Sequence, residues 1–335
     1  MQRYEVRRQT RENETIVQLV DRESEAEACL VPGIGAQCAT FRVPCGAQLV
    51  DVLAPPPHLA ALKADPVRYG NPILFPFPGR IREGVFTFAG RRVELPINDR
   101  AHRAAIHGLV LGKPWDVVEE GAGEEGAWVT CRLHTADHPD LEAVFPFPFE
   151  IRYTYRLREG RLESEIQVTN PGEGPLPMGL GLHPWFPLPL SDKGRRAECK
   201  LRAPVRRVWE LDGLIPTGAV REAAPQRDLS RGVTLGELEF DDVYTGLNEG
   251  VGPGGWSRST YTDPGTGVEI AVLADGRFRE LVVYAPGSRG VVCLEPYTCA
   301  PNAFNLAAEG IDGGMTVLQP GEIWSAQVTY AVRAL

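Results

Sequence analysis

Phe149-Glu150-Ile151-Arg152-Tyr153-Thr154-Tyr155-Arg156-Leu157 alternates apolar and polar residues without a break. An extended chain turns successive side chains to opposite faces, so Phe149, Ile151, Tyr153, Tyr155 and Leu157 share one face. The polar turn Arg158-Glu159-Gly160 leads into Leu162, Ser164, Ile166 and Val168, which repeat the period on a returning strand. Together they predict an antiparallel meander. Short alternating or apolar runs recur at 15–20, 28–31, 38–43, 48–53, 127–133, 268–274, 279–284 and 323–332, and a hairpin is predicted for 84–88 and 91–95 around Ala89-Gly90. Helical periodicity is confined to 58–63 and a short turn near 301–309. Roughly 15 or more short strands with few helices indicate an all-β fold, a large antiparallel β-sandwich. No Gly/Ser-rich linker divides the chain, so one domain is expected over 1–335.

Hydrophobic residues make up 43% and charged residues 24%, an ordinary globular balance. The net charge of −9 disfavours nucleic acid and anionic membrane surfaces as partners. No apolar run approaches a spanning helix, and the charged N-terminus lacks the apolar core of a signal peptide. A cytoplasmic protein is expected. Seven cysteines without a Cys-x-x-Cys pair suggest reduced, mostly buried thiols.

Several segments carry more than strand punctuation. Val291-Val292-Cys293-Leu294-Glu295-Pro296-Tyr297 is an apolar run holding one carboxylate where the strand is expected to end. A carboxylate there is either desolvated and poised to carry protons, or it caps backbone amides or pairs with an arginine. Met178-Gly179-Leu180-Gly181-Leu182-His183-Pro184-Trp185-Phe186 sets one histidine among aromatics. Asn71 to Ile81 is too rich in proline for a central strand and too apolar for a solvated loop, so it should line something. His107 lies beside Gly108, and Asp241 and Asp242 lie within an apolar run. His134 and His138 have helical metal-ligand spacing but fall in a predicted loop without a third ligand. Gly33-Ile34-Gly35 is expected to be a turn between strands, not a phosphate loop.

Taken in order, Arg80-Ile81 before a Gly-x-Phe hairpin, His107-Gly108 upstream of Trp115, His183-Pro184-Trp185-Phe186, Asp241 three residues before Tyr244, and Leu294-Glu295-Pro296 resemble the aldose 1-epimerase (galactose mutarotase) family. The likeness runs from about residue 30 to the C-terminus. It implies a galactose mutarotase-like supersandwich and an isomerase that interconverts the anomers of an aldose, with no metal and no cofactor. By motif position Glu295 would be the general base on the anomeric hydroxyl and His183 the general acid to the ring oxygen. Arg80, His107 and Asp241 would bind the sugar hydroxyls. Hemiacetal opening agrees, since one proton must leave O1 while another arrives at O5. Two positions depart from the family: Gly79 and Leu182 stand where asparagine is common. The partner implied is a small sugar, with a monomer or homodimer as the assembly. The alternatives are a hexose-6-phosphate 1-epimerase, with arginines 80, 82, 91, 92, 100 and 103 as phosphate ligands, another acidic sugar such as a sulfonated hexose, and a sugar-binding or sensory module without catalysis.

Overall fold

The computed structural model describes residues 2–46, 48–251 and 254–335. Within them 28 strands accompany three α-helices of six residues each. The alternating stretch forms the strand Glu150–Arg158, paired antiparallel with Arg161–Thr169 along its whole length. Ile151, Tyr153, Tyr155 and Leu157 are fully buried on the predicted face. The C-terminal strand Ile323–Ala334 runs beside Arg161–Thr169 within a nine-stranded antiparallel sheet.

An eight-stranded sheet holds Phe240–Thr245, Glu280–Ala285 and Val291–Tyr297 as successive neighbours. The strands of this second sheet have two apolar faces. Tyr244, Leu281 and Leu294 join Tyr155, Ile166 and Val328 of the nine-stranded sheet in one hydrophobic cluster that extends from Tyr4 to Tyr330. Val243, Val282 and Tyr297 point the other way into a smaller cluster with Leu74 and Leu306. Burial on both faces explains why 291–297 shows no alternation of polar and apolar residues. The residues before position 52 form a five-stranded sheet.

Several elements differ from the expectation. Tyr4–Arg11 and Asp116–Gly123 are strands that the sequence did not announce. Both lie at sheet edges, where charge along the strand prevents further pairing and erases the apolar period. Pro139–Val144 is a helix inside a stretch expected to be loop, started by Pro139 with Asp140 and Glu142 in its first turn. His134 accepts a hydrogen bond from the Ala136 amide through Nδ1 at 3.0 Å. The helix predicted for 58–63 is found at Leu59–Ala64, capped by His58. Residues 32–36 form a turn between strands, and Ala303–Ala308 is helical. All seven cysteines are free.

Glu280 is a fully buried acid in this sheet, accepting from Trp209 Nε1 at 3.0 Å and from Arg279 Nε at 3.2 Å. Burial pushes its carboxyl up to about 7. The folded protein holds this proton while the unfolded chain releases it near the usual 4.5, so the associated stability is present at low pH and is lost as pH rises toward 7. The wild type is expected to lose roughly 2–3 kcal/mol from this group between pH 5 and 8, and Glu280→Gln should remove that slope. Denaturant unfolding of both proteins at the two pH values checks it, and parallel profiles would contradict it.

Candidate active site

The outer face of the eight-stranded sheet builds the site through its register. Asp241 pairs with Tyr284, Tyr284 with Cys293, and Cys293 with Trp185. Two residues along, Val243, Val282 and Glu295 form the next row on the same face. Gly181 pairs with Tyr297 and Trp185 with Cys293, and continuing that register sets His183 opposite Glu295. The ladder is interrupted there, where Pro184 and Pro296 have no N–H to donate. Residues facing each other across antiparallel strands have Cβ atoms about 5 Å apart, which suits a direct side-chain contact. His183 Nε2 is 3.4 Å from Glu295 Oε1. The strand continues past Pro296 to Tyr297, so Glu295 is not at its end as expected.

Glu295 is 1% exposed, and its other oxygen accepts the Tyr297 hydroxyl at 2.6 Å. Its partners are thus a tyrosine and a histidine, not a backbone amide or an arginine. Burial raises its carboxyl well above the usual range, and the Tyr297 hydrogen bond opposes this only in part. Burial also lowers His183 to about 3, and the nearby Arg289 cation adds to the effect. Both groups are therefore favoured in their neutral forms. The imidazole lies parallel to the Trp185 indole at 4.8 Å between centroids, and Trp185 is fixed by donating from Nε1 to the Val67 carbonyl at 2.6 Å.

The proline-rich segment supplies one wall. His107 stands edge-on to His183 at 5.3 Å, and its own amide donates to the Gly79 carbonyl at 2.9 Å. His107 has φ +65°, and Gly108 follows at +75°. A Cβ on Gly108 would lie 2.2 Å from the Phe75 carbonyl oxygen, so the close approach that holds His107 in place requires glycine. Gly79 is likewise at φ +64°, with its missing Cβ directed at the Pro301 ring. Leu182, the other departure from the family, is fully buried in the main core. The Nδ1 atoms of His107 and His183 are buried without a protein partner among the described residues.

Arg80 lines the cleft and donates to Asp99 at 2.8 Å, and Asp99 also meets His102 Nδ1 at 2.9 Å. Asp241 lines the cleft, whereas Asp242 projects from the opposite face and pairs with Arg227. His183, Glu295, Arg80, His107 and Asp241 thus meet around one cavity of about 380 Å³. Of the six arginines considered for phosphate, only Arg80 lines it; Arg82, Arg92 and Arg103 are tied to Asp212, Glu94 and Glu83. Tyr284, Arg289, Asp99 and His102 belong to the site and were missed from sequence. Only Tyr297 had a legible signal, because it shares a face with Glu295 by the two-residue period.

A concavity of about 540 Å³ elsewhere includes Arg202, Arg207, Glu249 and Arg258. Two of these arginines are paired, with Glu249 and Glu269, and the lining has no histidine or buried acid suited to proton transfer. Among the described residues, His183, Cys293 and Glu295 place potential metal-ligand atoms within 4.8 Å of one another. A soft divalent ion could be held there, but it would occupy both candidate proton carriers.

This architecture and its cleft define a β-supersandwich protein of the galactose mutarotase-like class. The aldose 1-epimerase family profile matches residues 18–331, and the chain belongs to that family. It is 25% identical to the uncharacterised protein YihR of Escherichia coli K12 over 258 residues, 77% of each chain. A galactose mutarotase-like protein from Clostridium acetobutylicum superposes with a TM-score of 0.89 at 20% identity, over 99% of both chains. A galactose 1-epimerase from Lactobacillus acidophilus gives 0.76 at 17% identity, over 100% of this chain and 99% of that one. No helix among the described residues is long and apolar enough to cross a membrane.

Proposed function

We propose that this protein interconverts the α and β anomers of an aldose by acid–base ring opening and reclosure. The observation that carries the reading is the buried His183–Glu295 pair on the floor of a sugar-sized cleft. In ring opening the Glu295 carboxylate takes the proton from O1 while the His183 imidazolium gives one to O5, and the C1–O5 bond breaks to leave an aldehyde. Rotation about C1–C2 and the reverse transfers close the ring on the other face. After opening, the pair is a carboxylic acid beside a neutral imidazole. Burial favours that neutral pair in the resting protein as well as after opening. Carboxylate and imidazolium are reached from it by one proton shift within the pair. Arg80, His107 and Asp241 hold the hydroxyls from the walls of the cleft. A module that only bound sugar would need no such proton pair.

Exchange NMR between anomers of freshly dissolved aldoses, with the spontaneous rate subtracted, tests the reading. Protein treated with chelator should accelerate at least one aldose, and activity that returned only with a divalent ion would overturn the metal-free scheme. The pH profile is a further expectation. Activity requires one proton on the pair, so it should fall on the acid side only near pH 3, where His183 takes a second, and on the alkaline side above the raised Glu295 value. Polarimetry across that range checks it. An acid limb near 6.5, the value of a solvated histidine, would show that burial does not control His183.

A further inference from the structure

Building on the mutarotase reading of this cleft, we propose that Arg289 selects aldoses that carry an anionic group at C6, a carboxylate or a phosphate. Three arginines line the cavity. Arg68 is paired with Asp65 at 2.9 Å and Arg80 with Asp99, but Arg289 has no carboxylate partner among the described residues. It comes from the turn that joins Glu280–Ala285 to Val291–Tyr297, and its guanidinium lies 4.6 Å over the Trp185 ring. That indole also stacks against His183, so the cation and the proton donor share one aromatic neighbour.

The chemistry of the ring fixes what points there. O5 is bonded to C5, and C5 carries C6, so the C6 arm leaves the sugar beside the oxygen that His183 protonates. Arg289 enters the cleft over Trp185, the indole against which His183 stacks. The unneutralised cation is therefore on the His183 side of the proton pair, where the C6 arm leaves. A planar guanidinium fork matches a carboxylate or phosphate with two parallel hydrogen bonds, which a neutral hydroxymethyl group cannot return. An anion bound there also cancels the repulsion that Arg289 exerts on protonated His183, so the gain should extend to kcat.

The test compares glucose, glucuronate and glucose 6-phosphate by anomer-exchange NMR with the wild type, Arg289→Gln and Arg289→Lys, each rate corrected for the uncatalysed one. At least one charged sugar should exceed glucose in kcat/KM by about 10–100-fold, the worth of a charge-assisted pair. Which of the two leads distinguishes carboxylate from phosphate. Arg289→Gln should bring the charged-to-neutral ratio close to one, and Arg289→Lys should keep part of it. Glucose equal to or better than both charged sugars in the wild type, or a preference that survives Arg289→Gln, overturns the proposal while leaving the mutarotase reading intact. Acceleration of none of the three while another aldose is accelerated overturns this proposal alone, and acceleration of no aldose removes the mutarotase reading with it. The wild-type ratio decides even if a variant fails to fold.

Discussion

Glu295→Gln is expected to lower the catalysed rate by about 10²–10⁴, the usual worth of one positioned acid or base. Glutamine keeps the size of the side chain, and its amide oxygen can still accept the Tyr297 hydroxyl that reaches Glu295 at 2.6 Å. It cannot accept the O1 proton. Sugar affinity should therefore change far less than rate. His183→Asn should give a comparable loss, and the double variant little more, because the two transfers serve one transition state. Anomer exchange measured alongside calorimetric sugar binding separates the two quantities. A glutamine variant with the wild-type rate would remove Glu295 from the chemistry, and a wild type that binds sugars without accelerating any would favour the sensory module.

Gly108→Ala is expected to destabilise the protein by about 3–5 kcal/mol, among the largest effects of any single change. The added Cβ would meet the Phe75 carbonyl oxygen at 2.2 Å and its carbon at 2.5 Å, both backbone atoms that cannot rotate away. The position also has φ +75°, which an L side chain adopts only with strain. Any relaxation displaces His107, the preceding residue, so the surviving folded protein should bind sugar more weakly as well. Denaturant unfolding and calorimetry read the two losses. Wild-type stability in this variant would mean that the loop holding His107 is free to move.

The fold was legible where strands bury one face and expose the other. Glu150–Arg158 shows its period directly, whereas Tyr4–Arg11 and Asp116–Gly123 carry charge because edges must not pair further. The candidate proton carriers were visible as types, a histidine among aromatics and an acid in an apolar run, but their contact was not. His183 faces Glu295 only through a register fixed by Gly181–Tyr297 and Trp185–Cys293, and register depends on the whole sheet. The choice of Asp241 over Asp242 rested only on spacing to Tyr244 for a related reason: alternation separates them onto two faces, and only the neighbouring strands decide which face is the cleft. Arg289 stands in Gly287-Ser288-Arg289-Gly290, which in sequence has the composition of any solvated turn. The arginines of the 84–95 hairpin drew attention by number, yet Arg91 and Arg92 are exposed.

The two-faced sheet separates what keeps this molecule folded from what it recognises. Leu281, Tyr244 and Leu294 look inward and answer to packing, while their immediate chain neighbours Val282, Val243 and Glu295 look outward and line the cleft. A change at an outward position alters the cleft without opening a cavity in the main core. The lining of the cleft can therefore change along these strands with the main core left intact, while the spacing of His183 and Glu295 stays set by the distance between two strands.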